Sequence, residues 1–99
     1  MTSDKNWHVY IVRCRDGTLY TGITRDLERR ITEHNSKKGG ARYTKPRRPV
    51  RLVYSEQAES RSAAAQREYR IKKMALKKKN ELINTAKNFY RDSTNTGKE

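Results

Sequence analysis

Residues 9–34 read VYIVRCRDGTLYTGITRDLERRITEH, and the rest of the chain is organised around them. Two short apolar runs flank an Asp-Gly pair, whose glycine is available for the positive φ of a tight turn, so the pattern predicts a β-hairpin. Tyr10 and Tyr20 lie on its two strands. Arg30 and His34 follow at i, i+4 spacing, one turn apart on a helix. The stretch therefore concentrates groups that can handle a phosphate.

The first apolar run predicts a strand over Trp7–Cys14. Both faces of this strand are fairly apolar, with Trp7, Val9 and Ile11 on one face and His8, Tyr10 and Val12 on the other. Such a pattern is typical of a strand that is covered on both sides. Its hairpin partner is predicted over Thr18–Gly22, and alternation predicts a third strand over Val50–Tyr54.

Three helices are predicted from apolar positions at helical spacing and from residues able to cap them. The predicted elements are, in chain order, a helix that begins after Thr24 or Asp26 and ends within Asn35–Gly40, a loop over Lys37–Pro49, a helix from Ser60 or Ser62 at least to Leu76, and a helix over Asn80–Tyr90. Residues 7–90 thus form a single predicted domain. Residues 1–6 and 91–99 are polar and are predicted to be disordered.

Composition indicates a basic protein with a small core. Apolar residues make up 32% of the 99 residues, whereas an average soluble domain has roughly 45–50% with glycine included. The chain has 24 Lys and Arg against 11 Asp and Glu, a net charge of +13, which is easiest to explain if the partner is a polyanion. We therefore expect contact with nucleic acid; a ribosome-associated protein or a merely soluble basic protein is the alternative.

Cysteine usage and hydropathy bear on the compartment. Cys14 is the single cysteine, so an intrachain disulfide is excluded, and we interpret it as a small buried hydrophobe. The sequence has no apolar run near the roughly 18 residues of a membrane span and no N-terminal signal pattern. We expect a cytoplasmic protein without membrane contact.

Glu68 is the one carboxylate in the basic segment 61–79. It falls in the apolar row that Ala64, Ile71 and Ala75 form on the predicted second helix. A carboxylate on a packed row loses water, which costs free energy unless a cation or hydrogen-bond donors compensate. The compensating group is either an arginine of the first helix or a hard divalent metal that keeps several waters.

Four other side chains could take part in phosphate chemistry, and each has an ordinary role as its alternative. Arg30 offers a fork of donors that matches a phosphate, or it is a surface arginine. Tyr10 and Tyr20 could exchange a proton, although a free phenol with a pKa of about 10 is a poor base; otherwise both pack. His34 could bond a hydroxyl or a phosphate, and without a second histidine at ligand spacing a zinc site is not expected.

Fifteen of the 24 basic residues fall in two segments, 37–51 and 61–79. If the two segments flank one groove, they supply salt-sensitive affinity for phosphates. Tyr43 either stacks on an unpaired base or anchors its loop. The predicted nucleic-acid-binding residues are Lys37, Lys38, Arg42, Tyr43, Lys45, Arg47 and Arg48.

Several motifs occur in a fixed order, namely VYI at 9–11, YTG at 20–22, then Arg30, His34 and Glu68, extended by GGARYT at 39–44, PVRLVY at 49–54 and REYRIKKM at 67–74. This ordered set resembles the GIY-YIG nuclease domain, and in particular the small stand-alone bacterial proteins of the YhbQ-like type. The resemblance covers Trp7 to about Ile83.

The resemblance implies an α+β fold in which a three-stranded antiparallel sheet is flanked by helices, in agreement with the elements predicted above. It also implies one Mg²⁺ or Mn²⁺ ion and water-mediated cleavage of a phosphodiester. The implied site residues are Tyr10 and Tyr20 as the signature tyrosines with Tyr10 preferred as general base, Gly22 as the signature glycine, Arg30 on the phosphate, Glu68 on the metal, and His34 as a histidine found in some members.

The sequence also departs from the family pattern. His8 replaces the first signature glycine and Thr21 the middle residue of the second triplet, but both leave the tyrosines in register. Asn84 is the nearest match by spacing to an asparagine that helps the site in some members, and we assign it no role. Many relatives carry a second domain that selects the substrate, and the sequence shows none.

The function we expect is that of a metal-dependent endonuclease acting on DNA rather than RNA, with branched or irregular substrates in repair or recombination. The alternative is a non-catalytic DNA- or RNA-binding protein that retains the nuclease scaffold. A third hypothesis is a basic module whose substrate specificity is supplied by a protein partner. Loss of a cleaved product in a Glu68 variant separates the first hypothesis from the second.

Overall fold

The structure is a computed structural model that describes residues 6–94, with the backbone alone for 87–94. Its elements are β1 (Trp7–Arg13), β2 (Leu19–Thr24), α1 (Leu27–His34), a 3-10 helix (Lys45–Arg47), β3 (Arg51–Ala58), α2 (Arg61–Lys72) and α3 (Leu76–Thr94). The strands form one antiparallel sheet in the order β2-β1-β3. The predicted α+β class with a three-stranded antiparallel sheet is therefore confirmed.

The central strand, β1, is buried on both faces. One core contains Val9, Ile11, Ala64, Ile71 and Ile83, which joins β1 to α2 and α3. The other core contains Tyr10, Val12, Cys14 and Val50, with Tyr20, Leu27 and Ile31 packed against it. The apolar character of both faces of β1 thus has the predicted cause, since helices cover the sheet on both sides.

Side-chain caps fix where α1 and α2 begin. Asp26 is the N-cap of α1, and its carboxylate accepts a hydrogen bond from the backbone N–H of Arg29 at 3.1 Å. Ser60 is the N-cap of α2, and its hydroxyl oxygen accepts from the backbone N–H of Ala63 at 3.0 Å. Each bond satisfies an N–H that the first helical turn leaves without a partner. Of the alternatives in the sequence, Asp26 and Ser60 are the capping residues.

Both outer strands are longer than predicted. Strand β2 pairs with residues 8–13 of β1, and β3 pairs with residues 7–13, so that His8 faces Thr24 on one side and Trp7 faces Ala58 on the other. The sequence pattern did not predict these longer ends, because most of the added residues are polar and the hydrogen bonds between strands do not require an apolar side chain.

The prediction of a continuous helix to Leu76 is wrong. Helix α2 ends at Lys72, and the backbone N–H of Met74 donates to the carbonyl of Ile71 at 3.0 Å in a tightened turn. The residues of this turn are good helix formers, so intrinsic propensity does not end the helix. The turn instead brings Ile83 of α3 against the same core as Ile71, and burial overrides propensity.

Helix α3 begins earlier than predicted and continues to Thr94. No glycine or proline interrupts residues 76–94, so nothing in the sequence ends the helix at Tyr90. Residues 91–94, predicted to be disordered, therefore have a helical backbone. The predicted disorder of 1–5 and of 95–99 falls outside the described residues. Within residues 6–94, no helix combines the length and apolarity needed to cross a membrane.

An ion pair on one flank of α2 orients this helix on the sheet. Arg67 Nε lies 2.8 Å from Glu56 Oε2 on β3, and both side chains are partly buried. The hydroxyl of Tyr54 donates to the same carboxylate, and burial together with Glu56 raises the pKa of Tyr54 to about 12. Because successive helical residues are turned by about 100°, fixing Arg67 toward β3 turns Glu68 toward the β2 side.

Candidate active site

The Tyr10 phenol lies across Gly22, its partner on the edge strand β2. A Cβ atom on Gly22 would lie 2.6 Å from the hydroxyl oxygen of Tyr10 and 2.7 Å from its Cζ, far inside van der Waals contact. Any side chain at position 22 would therefore displace the phenol. The structural role predicted for Gly22 has a steric explanation: the glycine makes room for Tyr10.

His34 connects the phenol to the basic loop. Its Nε2 lies 2.8 Å from the hydroxyl oxygen of Tyr10, and its Nδ1 lies 2.9 Å from Oγ1 of Thr44. Tyr10 is 1% exposed, while His34 and Thr44 are completely buried. The sequence predicted a polar partner for His34, and the structure gives it two. One buried chain of hydrogen bonds thus joins β1, α1 and the loop that precedes β3.

The hydrogens in this chain can be assigned from its donors and acceptors. The buried Tyr10 hydroxyl needs an acceptor, and the neighbouring Arg30 can only donate, so Tyr10 donates to Nε2 of His34. His34 then carries its hydrogen on Nδ1 and donates it to Thr44. The Thr44 hydroxyl donates in turn to the carbonyl of Ala41 at 3.0 Å. We assign the Nδ1–H tautomer to His34 on this basis.

Burial controls the protonation of both rings. Burial raises the pKa of Tyr10 above that of a free phenol; Arg30 opposes the shift, while Tyr20 and Glu68 add to it. Burial also lowers the pKa of His34 to about 4, assisted by the positive charge of Arg30 and opposed by Glu33. At neutral pH the site therefore holds a neutral phenol and a neutral imidazole.

Arg30 is held beside the phenol by an acid of its own helix. Its Nη1 lies 2.8 Å from Oε1 of Glu33, and its side chain is 29% exposed. Burial lowers the pKa of Arg30, but the interactions with Glu33 and Tyr10 outweigh it, so the pKa is raised overall. Arg30 is thus a fixed cation that still reaches solvent, and Glu33 is its anchor rather than Glu68.

Tyr20 lies beside His34 on the open side of the site. Its ring meets the imidazole edge-on, with 5.4 Å between centroids, and stacks on Tyr43 at 6.0 Å with an angle of 22°. The guanidinium of Arg47 lies 4.0 Å from the centroid of Tyr43. Since Tyr43 is in contact with both Tyr20 and Arg47, it anchors its loop, which is the second of the two roles considered for it.

Glu68 reaches the same edge of the sheet from α2. Its Oε2 lies 3.2 Å from Nζ of Lys72, and its side chain is 22% exposed. Lys72 Nζ in turn lies 5.9 Å from the centroid of Tyr20. Glu68 also contributes to the raised pKa of Tyr10. The fold therefore gathers the five predicted site residues, and the cation on Glu68 is Lys72 rather than an arginine of the first helix.

The predicted nucleic-acid-binding loop divides into two groups. Arg47 binds Asp16 at 3.1 Å and donates to the carbonyl of Tyr43, and Arg48 donates to the carbonyl of Ser36. These two arginines hold the loop to its neighbours. The other four cations of the set are exposed on the loop surface: Lys37, Lys38, Arg42 and Lys45. Binding of nucleic acid by this set stays a prediction, and the exposed group is the better placed.

Three residues that shape the site were missed in the sequence: Thr44, Glu33 and Lys72. Thr44 lies in a polar loop whose sequence has no periodicity from which its burial could be inferred. Glu33 and Lys72 could have been found, because each lies at helical i, i+3 or i+4 spacing from a predicted site residue of opposite charge.

Comparison with known proteins identifies the family. The family model for the GIY-YIG catalytic domain matches residues 6–81, which contain every one of these site residues. This chain belongs to the GIY-YIG family, a family of nucleases, which implies that it binds nucleic acid.

Within that family the chain is similar to small proteins named UPF0213. It is 57% identical to the UPF0213 protein of Desulfotalea psychrophila over 85% of this chain and 76% of the relative. It is 49% identical to a UPF0213 protein of Halobacterium salinarum over 77% of this chain and 97% of the relative. The solution NMR structure of a UPF0213 protein from Bacillus halodurans is 39% identical and covers 94% of this chain and 98% of its own, with a TM-score of 0.56.

The pKa of His34 makes stability depend on pH. An unfolded histidine has a pKa of about 6.5, whereas that of folded His34 is about 4. Between these values the unfolded chain binds more protons, so the contribution of neutral His34 is fully present above pH 6.5 and is lost as pH falls toward 4.

Over this range the wild type should lose about 3 kcal/mol more unfolding free energy than His34→Gln. Urea denaturation at a series of pH values measures the difference, and parallel curves for both proteins would contradict it.

Proposed function

We propose that this protein is a metal-dependent endonuclease that hydrolyses phosphodiester bonds in DNA, at branched or otherwise irregular structures. The observation that carries the proposal is that helices on opposite faces of the sheet bring two charges to the same hairpin. Arg30 of α1 lies beside Tyr10, and Glu68 of α2 is paired with Lys72, which lies beside Tyr20. A carboxylate for a cation and a guanidinium for a phosphate are the two charges that phosphodiester hydrolysis needs.

The chemistry of Glu68 fits a single hard divalent ion. The carboxylate is accessible to solvent and has Lys72, a flexible cation, as its ion-pair partner. Among the described side chains, no three His, Cys, Asp or Glu residues come together as a ligand cluster. Mg²⁺ or Mn²⁺ binds through one carboxylate when waters and phosphate oxygens complete its shell. Such an ion, when bound, would polarise the phosphate and stabilise the leaving oxygen.

Arg30 is suited to the charge that develops on the phosphate. Glu33 and Tyr10 fix the guanidinium on one side, and the partial exposure of its side chain lets the substrate approach on the other. Because the guanidinium is already oriented, little conformational entropy is lost when it binds two phosphate oxygens. Arg30 would stabilise the extra negative charge of the pentacovalent transition state.

The general base is better assigned to Tyr20 than to Tyr10, which reverses the preference drawn from the sequence. Tyr10 is buried, its hydroxyl is engaged with His34, and its pKa is raised, so it is poorly suited to accept a proton from water. Tyr20 is only partly buried, so its phenol can pass its own proton to solvent as it accepts one from the attacking water. Tyr10 then acts as a positioning residue for His34 and Arg30.

The ammonium of Lys72 can bind either of two groups in the same site, the Glu68 carboxylate or a substrate phosphate. Its ammonium lies on a four-carbon stem that can swing, so it can leave Glu68 and bind a phosphate oxygen when the substrate arrives. The negative charge that it leaves is then available to the metal. We therefore include Lys72 among the residues that bind the substrate.

The role of Glu68 is tested by removing its charge alone. Glu68→Gln should lower the rate of Mg²⁺- or Mn²⁺-dependent cleavage by at least about 100-fold, because the carboxylate is the proposed metal ligand. The matched control is Glu81→Gln, which removes an equal charge from the exposed surface of α3 and should cleave as the wild type does. The measurement is cleavage of a panel of flapped, branched and linear DNA, together with metal-free binding by each variant.

Two outcomes would contradict the proposal. Equal cleavage by the wild type and Glu68→Gln would assign the activity to a contaminant. Tight, salt-sensitive binding by the wild type with no product from any substrate would indicate the non-catalytic nucleic-acid-binding protein instead.

The choice of base is tested by comparing the two tyrosines. Tyr20→Phe should lower the cleavage rate by about 100-fold or more while leaving DNA affinity unchanged, because only the proton acceptor is lost. Tyr10→Phe should chiefly lower stability, by about 1–3 kcal/mol, because the buried Nε2 of His34 loses its donor. Single-turnover cleavage and urea denaturation of both variants measure the contrast. Unchanged cleavage by Tyr20→Phe, with cleavage abolished in a folded Tyr10→Phe, would reverse the assignment.

A further inference from the structure

The outer surface of α2 carries an unusually exposed aromatic side chain. Tyr69 is 61% exposed, and Nζ of Lys73 lies 5.0 Å from the centroid of its ring. A shallow open pocket of about 370 Å³ borders the ring, lined by Ser62, Ala65, Gln66, Tyr69 and Arg70. Its volume is within the range of roughly 300–1,000 Å³ found for sites that hold small molecules. A planar group could therefore lie against Tyr69 without displacing protein atoms.

The position of Tyr69 on the helix connects it to the active site. Lys72 and Lys73 follow Tyr69 at i+3 and i+4, and the ammonium of Lys73 lies against its ring. Lys72 is also the partner of Glu68, whose carboxylate belongs to the proposed metal site. The same stretch of α2 and the turn after it thus carry Glu68, its partner Lys72, and an exposed aromatic ring with Lys73 against it.

The charge of this surface indicates what it binds. Arg70 lines the pocket and Lys73 lies against the ring, within a segment, 61–79, that contains eight Lys and Arg residues and Glu68 as its only acid. Such a surface attracts a phosphate backbone. Unpaired bases stack on exposed aromatic side chains, and a duplex keeps its bases inside, so an aromatic ring among lysines favours a strand with unpaired nucleotides.

Tyr43 cannot serve this purpose, although the sequence suggested it. Its ring is stacked on Tyr20, and the guanidinium of Arg47 lies over it at 4.0 Å. Tyr69 has an exposed ring and lies close to Lys73, whose flexible stem can move aside. Of these two tyrosines, Tyr69 is the one that can accept a base.

We propose that Tyr69, with Lys72 and Lys73, forms a stacking platform for an unpaired nucleobase of the strand that passes through the active site. The platform rests on the proposed nuclease function and narrows its substrate class. The preferred substrates carry unpaired nucleotides next to the scissile phosphate, as flaps and overhangs do. A fully paired duplex does not use the platform.

The test compares two DNA hairpins in EDTA, so that binding is measured without cleavage. One hairpin is blunt, and the other carries a five-nucleotide single-stranded overhang with 2-aminopurine placed at each position in turn. Tyr69→Ala should weaken binding of the overhang hairpin by about tenfold and abolish the stacking-induced change in 2-aminopurine fluorescence. Binding of the blunt hairpin should change by less than about twofold, since surface contacts other than stacking are retained.

Two further variants separate stacking from charge. Tyr69→Phe keeps the aromatic face and should bind as the wild type does. Lys73→Gln should weaken binding of the overhang hairpin and reduce the salt dependence of that binding, because a phosphate contact is lost, while the 2-aminopurine fluorescence change persists at saturation. Far-UV circular dichroism of each variant should be unchanged, since both side chains are exposed.

The outcomes distinguish this proposal from the nuclease function. An equal loss of affinity for both hairpins in Tyr69→Ala, or no loss for either, would overturn the platform. A wild type that cleaves nothing but shows the Tyr69-dependent fluorescence change would overturn the nuclease function and leave the platform standing.

Discussion

The hydrogen bond from the Tyr10 hydroxyl to His34 is the interaction on which the site depends. It forms only because Gly22, across from Tyr10 on β2, has no side chain where the phenol lies. It fastens β1 to α1, since His34 is the last residue of α1, and Thr44 extends the restraint to the basic loop. A buried polar chain of this kind is stable only when each member has its partner, so one missing group would loosen all three elements.

Several acidic residues of the protein pair with particular basic side chains. The chain has a net charge of +13, yet several of its few acids are placed against particular cations: Glu33 against Arg30, Glu68 against Lys72, Glu56 against Arg67 and Asp16 against Arg47. Ion pairs that still reach solvent contribute little to stability. Their effect is to position cations, which leaves an ordered guanidinium and a movable ammonium at the site and an excess of free positive charge on the surface.

Much of this arrangement could be predicted from the sequence, because it rests on periodicity. The alternation of β1 identified the central strand, and the helical row through Ala64 and Ile71 identified Glu68 as a carboxylate at a partly packed position. The helix break before Leu76 could not be predicted, since good helix formers occupy it and the cause is the packing of α3 on a distant core. The choice between Tyr10 and Tyr20 as base likewise needed coordinates, because the spacing of two tyrosines in a sequence does not reveal which is buried or to which group its hydroxyl donates.

The most direct test of this account is the protonation of the His34 imidazole, measured by long-range ¹H–¹⁵N NMR near pH 6.5. The account requires a neutral ring with the hydrogen on Nδ1 and a bare Nε2 that accepts from Tyr10. A ring protonated on Nε2, or an imidazolium at that pH, would contradict it, because Tyr10 would then have no acceptor in its buried position and the assignment of its role would fail.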